Sequence, residues 1–416
     1  MTAQEIKNRG WTVAGAGLFI NLALGILYTW SVFKESIKKS IETGGENAFT
    51  WDIASLNDPY AVCTLTFALS MIAAGKLQDK KGPLLTALIG GVFVGIGFIL
   101  VSFTTSYAMW VIGFGLLAGT GIGFGYSAAT PPALKWFHSS KTGMVSGIVV
   151  SGFGLAPVYI APLATYLVNN YGLQRTMLVF GIAFIIIVCG AAMLLKNPPQ
   201  GYVPAQGNVQ ASSNKNANTT ENHGPGYMLK TPVFYLMWIT FFISSGAGLM
   251  VIANISGLAK KSMGEAAFVA VAIMAIGNAS GRIIAGLVSD KIGRILTLSI
   301  IILFQAILMF MAIKIVSGDS SPLVIVLLAT FIGFNYGTNL SLFPTLTKGY
   351  WGLKNFGMNY GILMSAWGLG GLVFSSISQR LASSGNSNLS FIIAGASLLI
   401  TLVFTFILNR IKHKAE

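Results

Sequence analysis

Charged side chains are scarce in this sequence. Only 9% of its 416 residues are Asp, Glu, Lys or Arg, whereas soluble globular domains carry about 25%. A surface that faces water cannot be built from so few charges, which excludes an ordinary soluble enzyme. The same scarcity excludes a nucleic-acid-binding domain despite the net charge of +14, so we expect no nucleic-acid partner.

Residues that carry chemistry are also few. The chain has 2 cysteines and 3 histidines. Cys63 and Cys189 both lie in apolar runs, so no disulfide framework is expected. The sequence contains no phosphate-binding loop, no metal-ligand cluster and no catalytic triad. It therefore predicts no enzymatic activity, no catalytic residue, no metal and no cofactor.

Hydrophobic residues make up 54% of the chain and form long runs. A helix needs about 20 apolar residues to cross the hydrocarbon core of a bilayer. Such long runs are unlike the alternating strands of a membrane barrel. The predicted fold class is an all-α membrane protein with twelve transmembrane helices, at 11–36, 54–77, 83–105, 108–133, 142–168, 174–195, 231–256, 266–288, 295–316, 322–344, 355–379 and 389–409.

The longest polar stretch divides these helices into two groups of six. Residues 197–229 are rich in Asn, Gly, Ser and Pro, a composition that cannot form a packed core. We therefore expect an N-terminal six-helix bundle at 1–196, a loosely ordered cytoplasmic linker at 197–229 and a C-terminal six-helix bundle at 230–416.

Positive charges are distributed unevenly over the segments between the helices. If both termini are cytoplasmic, 17 of the 26 Lys and Arg residues lie on the cytoplasmic side and 8 lie on the external side. Membrane proteins carry such an excess on the cytoplasmic side. The sequence thus predicts a multi-pass protein of the cytoplasmic (inner) membrane with both termini inside. The basic charge then reflects topology and not an acidic partner.

The two halves contain related sequences. GKLQDKKGP, which includes Asp79, reappears as GLVSDKIGR, in which Asp290 follows 211 residues later. GFGY, ending at Tyr126, reappears as GFNY, ending at Tyr336, at a spacing of 210. Two matches at nearly one spacing indicate an internal duplication. With six helices per half, both copies have the same orientation, which predicts parallel repeats about an axis along the membrane normal.

The duplicated segment resembles motif A of the major facilitator superfamily, G-x-x-x-D-[RK]-x-G-[RK]. Glycines permit close helix approach, and the aspartate can cap a helix or pair with a cation. The resemblance implies the major facilitator fold and a charge cluster that acts as a conformational latch. Pro83 replaces the last basic residue of the first copy. The matching residues are Gly75, Asp79, Lys80 and Gly82, and then Gly286, Asp290, Lys291, Gly293 and Arg294.

Arg282 is a charged residue deep inside a predicted helix. It precedes Asp290 by eight residues, or about 12 Å of helix, which places it near the middle third of the bilayer. A buried arginine there costs at least ~2.5 kcal/mol and needs a partner or a water-filled cavity. None of the 12 acids lies in the middle of a predicted helix. A static ion pair is the alternative, but a mobile carboxylate held by two hydrogen bonds explains Arg282 better.

Polar aromatic residues and one amide could line the same cavity. Asn278 is one helical turn before Arg282 and shares its face. Tyr126 and Tyr336 take equivalent positions in the two halves. A phenol offers both a hydrogen bond and an apolar ring, which suits a small amphipathic acid, although packing or interfacial roles are the alternative. The predicted substrate-binding set is Arg282, Asn278, Tyr28, Tyr126, Tyr336, Tyr360 and Trp367.

Longer segments resemble one branch of the superfamily. GILYTWSVF at 25–33, LFPTLTKGYWGLKNFGMNYGILMSAWGLGG at 342–371 and the surroundings of Arg282 resemble the oxalate/formate antiporter family, which is related to the monocarboxylate transporters. The resemblance covers nearly the whole chain. It implies exchange or proton-linked symport of small carboxylates by alternating access.

The resemblance also implies roles for single residues. In the family's oxalate exchanger, an arginine of helix 8 and a lysine of helix 11 hold the dicarboxylate. Arg282 matches the arginine, but Trp367 stands in place of the lysine. Tyr28 and Tyr126 match positions of the aromatic cage, and Tyr336 replaces a cage tryptophan. Because one cation neutralises one carboxylate, a monocarboxylate is the expected substrate.

The proton route is open at this point. Asn278 cannot titrate, and it stands where the monocarboxylate transporters carry an aspartate implicated in proton coupling. The proton could travel on the substrate, lodge near Arg282 or use Asp58, near the outer end of helix 2. We expect a monomeric, proton-coupled symporter of lactate-like or pyruvate-like acids in the lipid bilayer. The alternatives are a carboxylate exchanger and a non-transporting membrane sensor with the same fold.

Overall fold

The computed structural model describes residues 8–45, 48–137, 142–199, 202, 222–317, 321–352 and 354–415, without the side chains of 142–143, 256–257, 261, 265, 290, 316–317 and 412–415. All regular elements in these ranges are helices. Most of the predicted linker at 197–229 lies outside them.

Twelve helices in the described ranges are long and apolar enough to cross a membrane, which confirms the predicted fold class. In chain order they are α1 (Gly10–Thr43), α2 (Ile53–Lys81), α3 (Pro83–Val101), α4 (Tyr107–Trp136), α5 (Met144–Tyr171), α6 (Leu173–Ala192), α7 (Pro232–Ile252), α8 (Ala267–Ser289), α9 (Arg294–Ile315), α10 (Pro322–Trp351), α11 (Phe356–Ser383) and α12 (Ser387–Ile411).

Some of the helices are longer than the apolar runs that predict them. α1 continues to Thr43 because its last part, Trp30–Thr43, is an amphipathic helix that buries an apolar face. α10 passes through Pro344, where the apolar run ends, and continues to Trp351. Neighbouring helices can satisfy the backbone group that a proline frees, so proline is tolerated inside membrane helices.

Helix packing repeats between the two halves. In the first half the helices pack as the pairs α1–α5, α2–α4 and α3–α6, and in the second half as the corresponding pairs α7–α11, α8–α10 and α9–α12. The halves meet through α2 against α11 and α5 against α8. When each helix is replaced by its counterpart in the other half, the contact of α2 with α11 becomes the contact of α8 with α5. The packing therefore has the symmetry that the internal duplication predicts.

α1 changes its winding near its middle. Residues Gly25–Thr29 form a tighter 3₁₀ turn between two α-helical parts. A 3₁₀ stretch inside a helix often marks a functional hinge or strain. It carries the predicted site residue Tyr28, whose side chain is buried.

The glycine run GTGIGFG in α4 serves helix packing. A Cβ at Gly119 would stand 2.6 Å from the carbonyl oxygen of Cys63 in α2, and a Cβ at Gly121 would stand 2.5 Å from the backbone nitrogen of Val94 in α3. Backbones that approach so closely leave no room for a side chain. The run therefore joins α4 to α2 and α3, and it is not a nucleotide-binding loop.

We expect Gly121→Leu to destabilise the protein by about 1–3 kcal/mol, the usual cost of overpacking a core. The measurement is thermal unfolding in detergent. Gly190→Leu in α6 is the matched control, because a Cβ at Gly190 meets nothing within 4 Å. Equal shifts of the unfolding temperature in the two variants would contradict the packing described for α4.

Candidate functional site

Arg282 in α8 is fully buried at the contact between the two halves. Its Nε donates to Oδ1 of Asn278 at 3.1 Å, and its Nη2 donates to the hydroxyl of Tyr28 at 3.3 Å. Its Nη1 donates to the backbone carbonyl of Val150. Since these partners belong to α8, α1 and α5, the guanidinium links the two halves of the molecule.

A glycine of α5 allows this approach. A Cβ at Gly154 would stand 3.2 Å from Oδ1 of Asn278 and 3.3 Å from Cζ of Arg282. A larger side chain at this position would therefore push against the guanidinium and its amide partner. Gly154 was not predicted as a site residue, because glycines are frequent in the apolar runs and nothing local distinguishes this one.

A chain of hydrogen bonds runs from Arg282 across the bundle. The hydroxyls of Tyr28 and Tyr336 lie 2.5 Å apart, and Nε1 of Trp367 donates to the hydroxyl of Tyr336 at 2.8 Å. The chain connects α8 to α1, α10 and α11. The structure thus brings together five of the predicted site residues, Arg282, Asn278, Tyr28, Tyr336 and Trp367, into one buried network.

Two phenylalanines complete an aromatic wall beside this network. The ring of Phe153 packs edge-on against Tyr28 at 5.0 Å and against Tyr126 at 5.4 Å between ring centroids. The ring of Phe67 lies 4.8 Å from that of Trp367 and 5.4 Å from that of Tyr126. Neither was predicted, because phenylalanine is common here, with 27 in the chain, and carries no polar group to mark it.

Tyr126 and Tyr360 lie next to the network but outside its hydrogen bonds. Both side chains are buried, and among the described residues neither hydroxyl makes a hydrogen bond of good geometry, although the two phenols are close enough to interact with each other. Together they line a cavity of about 20 Å³, which is room for about one water molecule. Two unsatisfied phenols beside a cavity can bond to a polar ligand once the surrounding helices move apart.

Carboxylates are absent from the described surroundings of Arg282. No ion pair to it is present among the described side chains. Asp58 accepts a hydrogen bond from the Tyr107 hydroxyl at 2.7 Å and makes no hydrogen bond or ion pair with Arg282. The structure therefore does not bring Asp58 to the network, and its role in proton transfer stays a prediction.

The first motif A copy lies where α2 meets the start of α11. A Cβ at Gly75 would stand 2.6 Å from the carbonyl carbon and oxygen of Gly357. The two carboxylate oxygens of Asp79 lie 3.0 and 3.2 Å from the Cβ position of Gly357. A negative charge near a helix N-terminus is favourable, so this contact suits the predicted latch, while Lys80 is exposed.

The second copy lies between α8 and α9. Nη1 of Arg294 donates to the carbonyl of Thr345 in α10 at 2.8 Å, a contact inside the second half. Gly286 is buried and Lys291 is exposed, whereas the side chain of Asp290 lies outside the described residues. The latch role of this copy stays a prediction.

Comparison with protein families decides the identity of this fold. The model described as Major Facilitator Superfamily matches residues 11–352 and 262–416. The chain belongs to the major facilitator superfamily. It is thus a multi-pass secondary transporter and not an enzyme, as the sequence predicts.

Curated relatives of this transporter cover nearly its whole length. It is 26% identical to the oxalate:formate antiporter of Oxalobacter formigenes over 97% of this chain and 93% of the relative. It is 26% identical to monocarboxylate transporter 13 of Bos taurus, over 94% and 87% of the two chains. Apicoplast pyruvate carrier 1 of Toxoplasma gondii is 24% identical over 98% and 90%.

Removing one hydroxyl from the network tests its hydrogen bonds. Tyr336→Phe leaves the buried indole N–H of Trp367 without its acceptor, which costs about 1–3 kcal/mol. Tyr126→Phe removes a hydroxyl that makes no hydrogen bond of good geometry in the described part of the chain, so we expect a smaller loss. Thermal unfolding of both variants in detergent measures the difference. If Tyr126→Phe destabilises the protein as much as Tyr336→Phe or more, the network as described is wrong.

Proposed function

We propose that this transporter carries a small monocarboxylate, such as lactate or pyruvate, across the cytoplasmic membrane, with Arg282 as the residue that binds the carboxylate. A proton accompanies the anion in the leading form of the proposal. Both termini face the cytoplasm, as the charge distribution favours, and the monomer is the working unit.

The observation that carries the proposal is the hydrogen bonding of Arg282. A guanidinium has five N–H donors, and three of them have acceptors among the described residues. The remaining two are one on Nη1 and one on Nη2. A carboxylate binds arginine through two hydrogen bonds, so the number of donors that are left suits this ligand.

The charge balance supports an anion as well. Three neutral groups, an amide, a phenol and a backbone carbonyl, accept from Arg282. They accept from three of its five N–H donors but leave its positive charge uncompensated in a buried place. A substrate carboxylate supplies the missing charge. The three relatives described above are named for oxalate and formate, monocarboxylates and pyruvate, which supports the same substrate class.

The number of cations favours one carboxylate over two. Trp367 occupies the position where the resemblance implies a second cation, and its N–H already donates to Tyr336. A second carboxylate at this place would lose water without gaining an opposite charge, which is costly. The aromatic wall of Phe67 and Phe153 instead suits the short apolar part of a monocarboxylate.

Access to Arg282 requires the halves to separate. The cavity beside Tyr126 and Tyr360 holds about one water, so the described conformation is closed around the site. We infer that the contact of Gly75 and Asp79 with Gly357 opens when the face that carries the chain termini opens. The second motif A copy, with Gly286, Asp290, Lys291 and Arg294, takes the corresponding part of this latch in the other half.

Exchange of one carboxylate for another is the second candidate, because exchange needs no proton-carrying group at the site. Asn278 holds Nε of Arg282 and cannot carry a proton, and no carboxylate of the described residues pairs with Arg282. Among the described residues the site therefore has no carboxyl group that could titrate. Under symport, therefore, the proton travels with the substrate carboxyl.

Arg282→Lys tests the binding residue. Lysine keeps the charge but loses the planar pair of donors, so we expect the protein to fold and lactate counterflow in proteoliposomes to fall by about tenfold or more, the equivalent of one charged hydrogen bond. In the wild-type protein, oxalate should compete with labelled lactate more weakly than pyruvate does, because the site has one cation.

Arg175→Lys is the control for this substitution, because Arg175 is exposed at the start of α6. It should leave counterflow at the wild-type level. Near-normal counterflow by Arg282→Lys would remove Arg282 from the binding site, and stronger competition by oxalate than by pyruvate would contradict the single-cation argument.

Proton coupling is tested with a pH gradient. A monoanion that moves alone against a negative interior meets about 2.3 kcal/mol per 100 mV, whereas an anion with one proton is neutral. We expect labelled lactate uptake to rise as the external pH falls. Asp58→Asn should keep this dependence, because Asp58 bonds to Tyr107 and not to Arg282.

Two other outcomes of the same assay have definite meanings. If Asp58→Asn loses pH-driven uptake but keeps counterflow, Asp58 carries the proton. If wild-type uptake ignores the pH gradient and is strongly stimulated by a carboxylate on the far side, the transporter is an exchanger.

A further inference from the structure

A second cation is buried in the bundle, away from Arg282. Lys34 in α1 is 5% exposed and follows Tyr28 by six residues, or about 9 Å of helix, toward the face opposite the chain termini. Its Nζ donates to Oδ1 of Asn254 at 2.6 Å and to Oε1 of Gln379 at 3.3 Å. Both acceptors belong to the second half of the molecule, while Lys34 belongs to the first.

The acceptors of Lys34 are neutral. Among the described side chains no carboxylate forms an ion pair with it, and the adjacent Glu35 pairs instead with Lys260 at 3.3 Å. Lysines are almost never fully buried unless they are paired. The burial of this ammonium against amides alone therefore needs an explanation other than a stable ion pair.

Further amide contacts surround Lys34 and also cross between the halves. Asn57 of α2 donates to Oδ1 of Asn254 at 3.4 Å, and Gln379 of α11 donates to the carbonyl of Ile53 at 3.1 Å. This amide cluster, formed by Asn57, Asn254 and Gln379, closes the two halves over one another at the face opposite the termini.

A solvent-connected cavity adjoins the amide cluster. Its volume is about 230 Å³, and Lys34, Asn254 and Gln379 line it together with the charged residues Glu35 and Lys38. The cavity is more than ten times larger than the one beside Tyr126 and Tyr360, which is about 20 Å³. An ion that approaches from this face therefore comes close to Lys34 before it can reach the closed site of Arg282.

We propose that Lys34 is a second carboxylate-binding residue, which captures the substrate at the face opposite the chain termini before it passes to Arg282. This inference rests on the proposed function. When this face opens, Asn254 and Gln379 move away with the second half, and the ammonium loses both acceptors inside a cleft. With two lysines and one glutamate in its lining, the cleft carries a net positive charge, which concentrates anions and raises their rate of association.

Neutral acceptors suit this task better than an acid would. A carboxylate partner would hold the halves together and would compete with the arriving anion. The amides satisfy the ammonium only while the cleft is closed. Lysine is also a compact charge on a flexible stem, whereas arginine fixes a carboxylate in one geometry, so Lys34 can release the anion that Arg282 then orients.

The test compares transport from the two faces. Lactate, pyruvate, formate and oxalate are first assayed in counterflow, and the best of them is the labelled probe. For Lys34→Gln we expect the KM from the face opposite the termini to rise by roughly tenfold or more. The KM from the terminal face should stay near the wild-type value. In the absence of gradients, Vmax/KM must be equal for transport in the two directions. From the terminal face, the effect of Lys34→Gln therefore appears as a lower Vmax and not as a higher KM.

Two further variants separate the site from a general charge effect. Lys39→Gln removes the same charge from an exposed position of the same helix and should leave both KM values unchanged. Lys34→Arg keeps the charge and should restore most of the low KM. An equal rise of KM from both faces in Lys34→Gln, or the same rise in Lys39→Gln, would overturn the inference.

A measurement on the unmodified protein covers the case in which Lys34→Gln does not fold. A membrane-impermeant amine reagent, followed by peptide mass spectrometry, should label Lys34 from the face opposite the termini, and saturating probe carboxylate should slow this labelling but not that of Lys39. Labelling of Lys34 that ignores the carboxylate refutes capture by Lys34. If the wild-type protein moves none of the four acids, the proposed function itself fails.

Discussion

The structure depends on a buried guanidinium whose described acceptors are all neutral. Arg282 is fully buried and is held by an amide, a phenol and a backbone carbonyl. In a medium of low dielectric constant a hydrogen bond to a neutral group does not compensate a full charge. The fold therefore keeps a positive potential at the contact of its halves, which a small anion can relieve. The aromatic wall and Gly154 of α5 lie beside the network that holds this guanidinium.

The position of Arg282 also connects ligand binding with the movement of the halves. Tyr28 and Val150 belong to the first half, and Asn278 belongs to the second. A carboxylate on the two remaining N–H donors would lie beside acceptors from both halves and would weaken the bonds that hold them together. A ligand shifts a conformational equilibrium only through a difference in its affinity for the two states. Here that difference can arise at one side chain, without a separate sensor.

The twelve helices could be predicted because a long apolar run is a local property of the sequence. Arg282 could be predicted because a charge is rare inside such a run. The remaining features depend on contacts between distant segments. Lys34 follows the apolar part of α1, where nothing local marks it for burial, yet it is buried by Asn254 and Gln379, which lie 220 and 345 residues away in sequence. Phe67 and Phe153 carry no local signal. Asp58 was singled out because it is acidic, which says nothing about its distance from Arg282.

In this protein the buried cations lack carboxylate partners, whereas more accessible lysines have them. This arrangement is explained by function and not by stability. Lys34 and Arg282 are the only buried charged residues in the described part of the chain, and neither has a carboxylate partner there. Two acids instead pair with more accessible lysines, Glu42 with Lys38 and Glu35 with Lys260, where an ion pair contributes little. A chain shaped for stability alone would pair its buried cations or replace them by apolar residues. Under the proposed function, two cations kept without acids, one near an accessible face and one at the centre, provide successive binding places for an anion on its way between the halves.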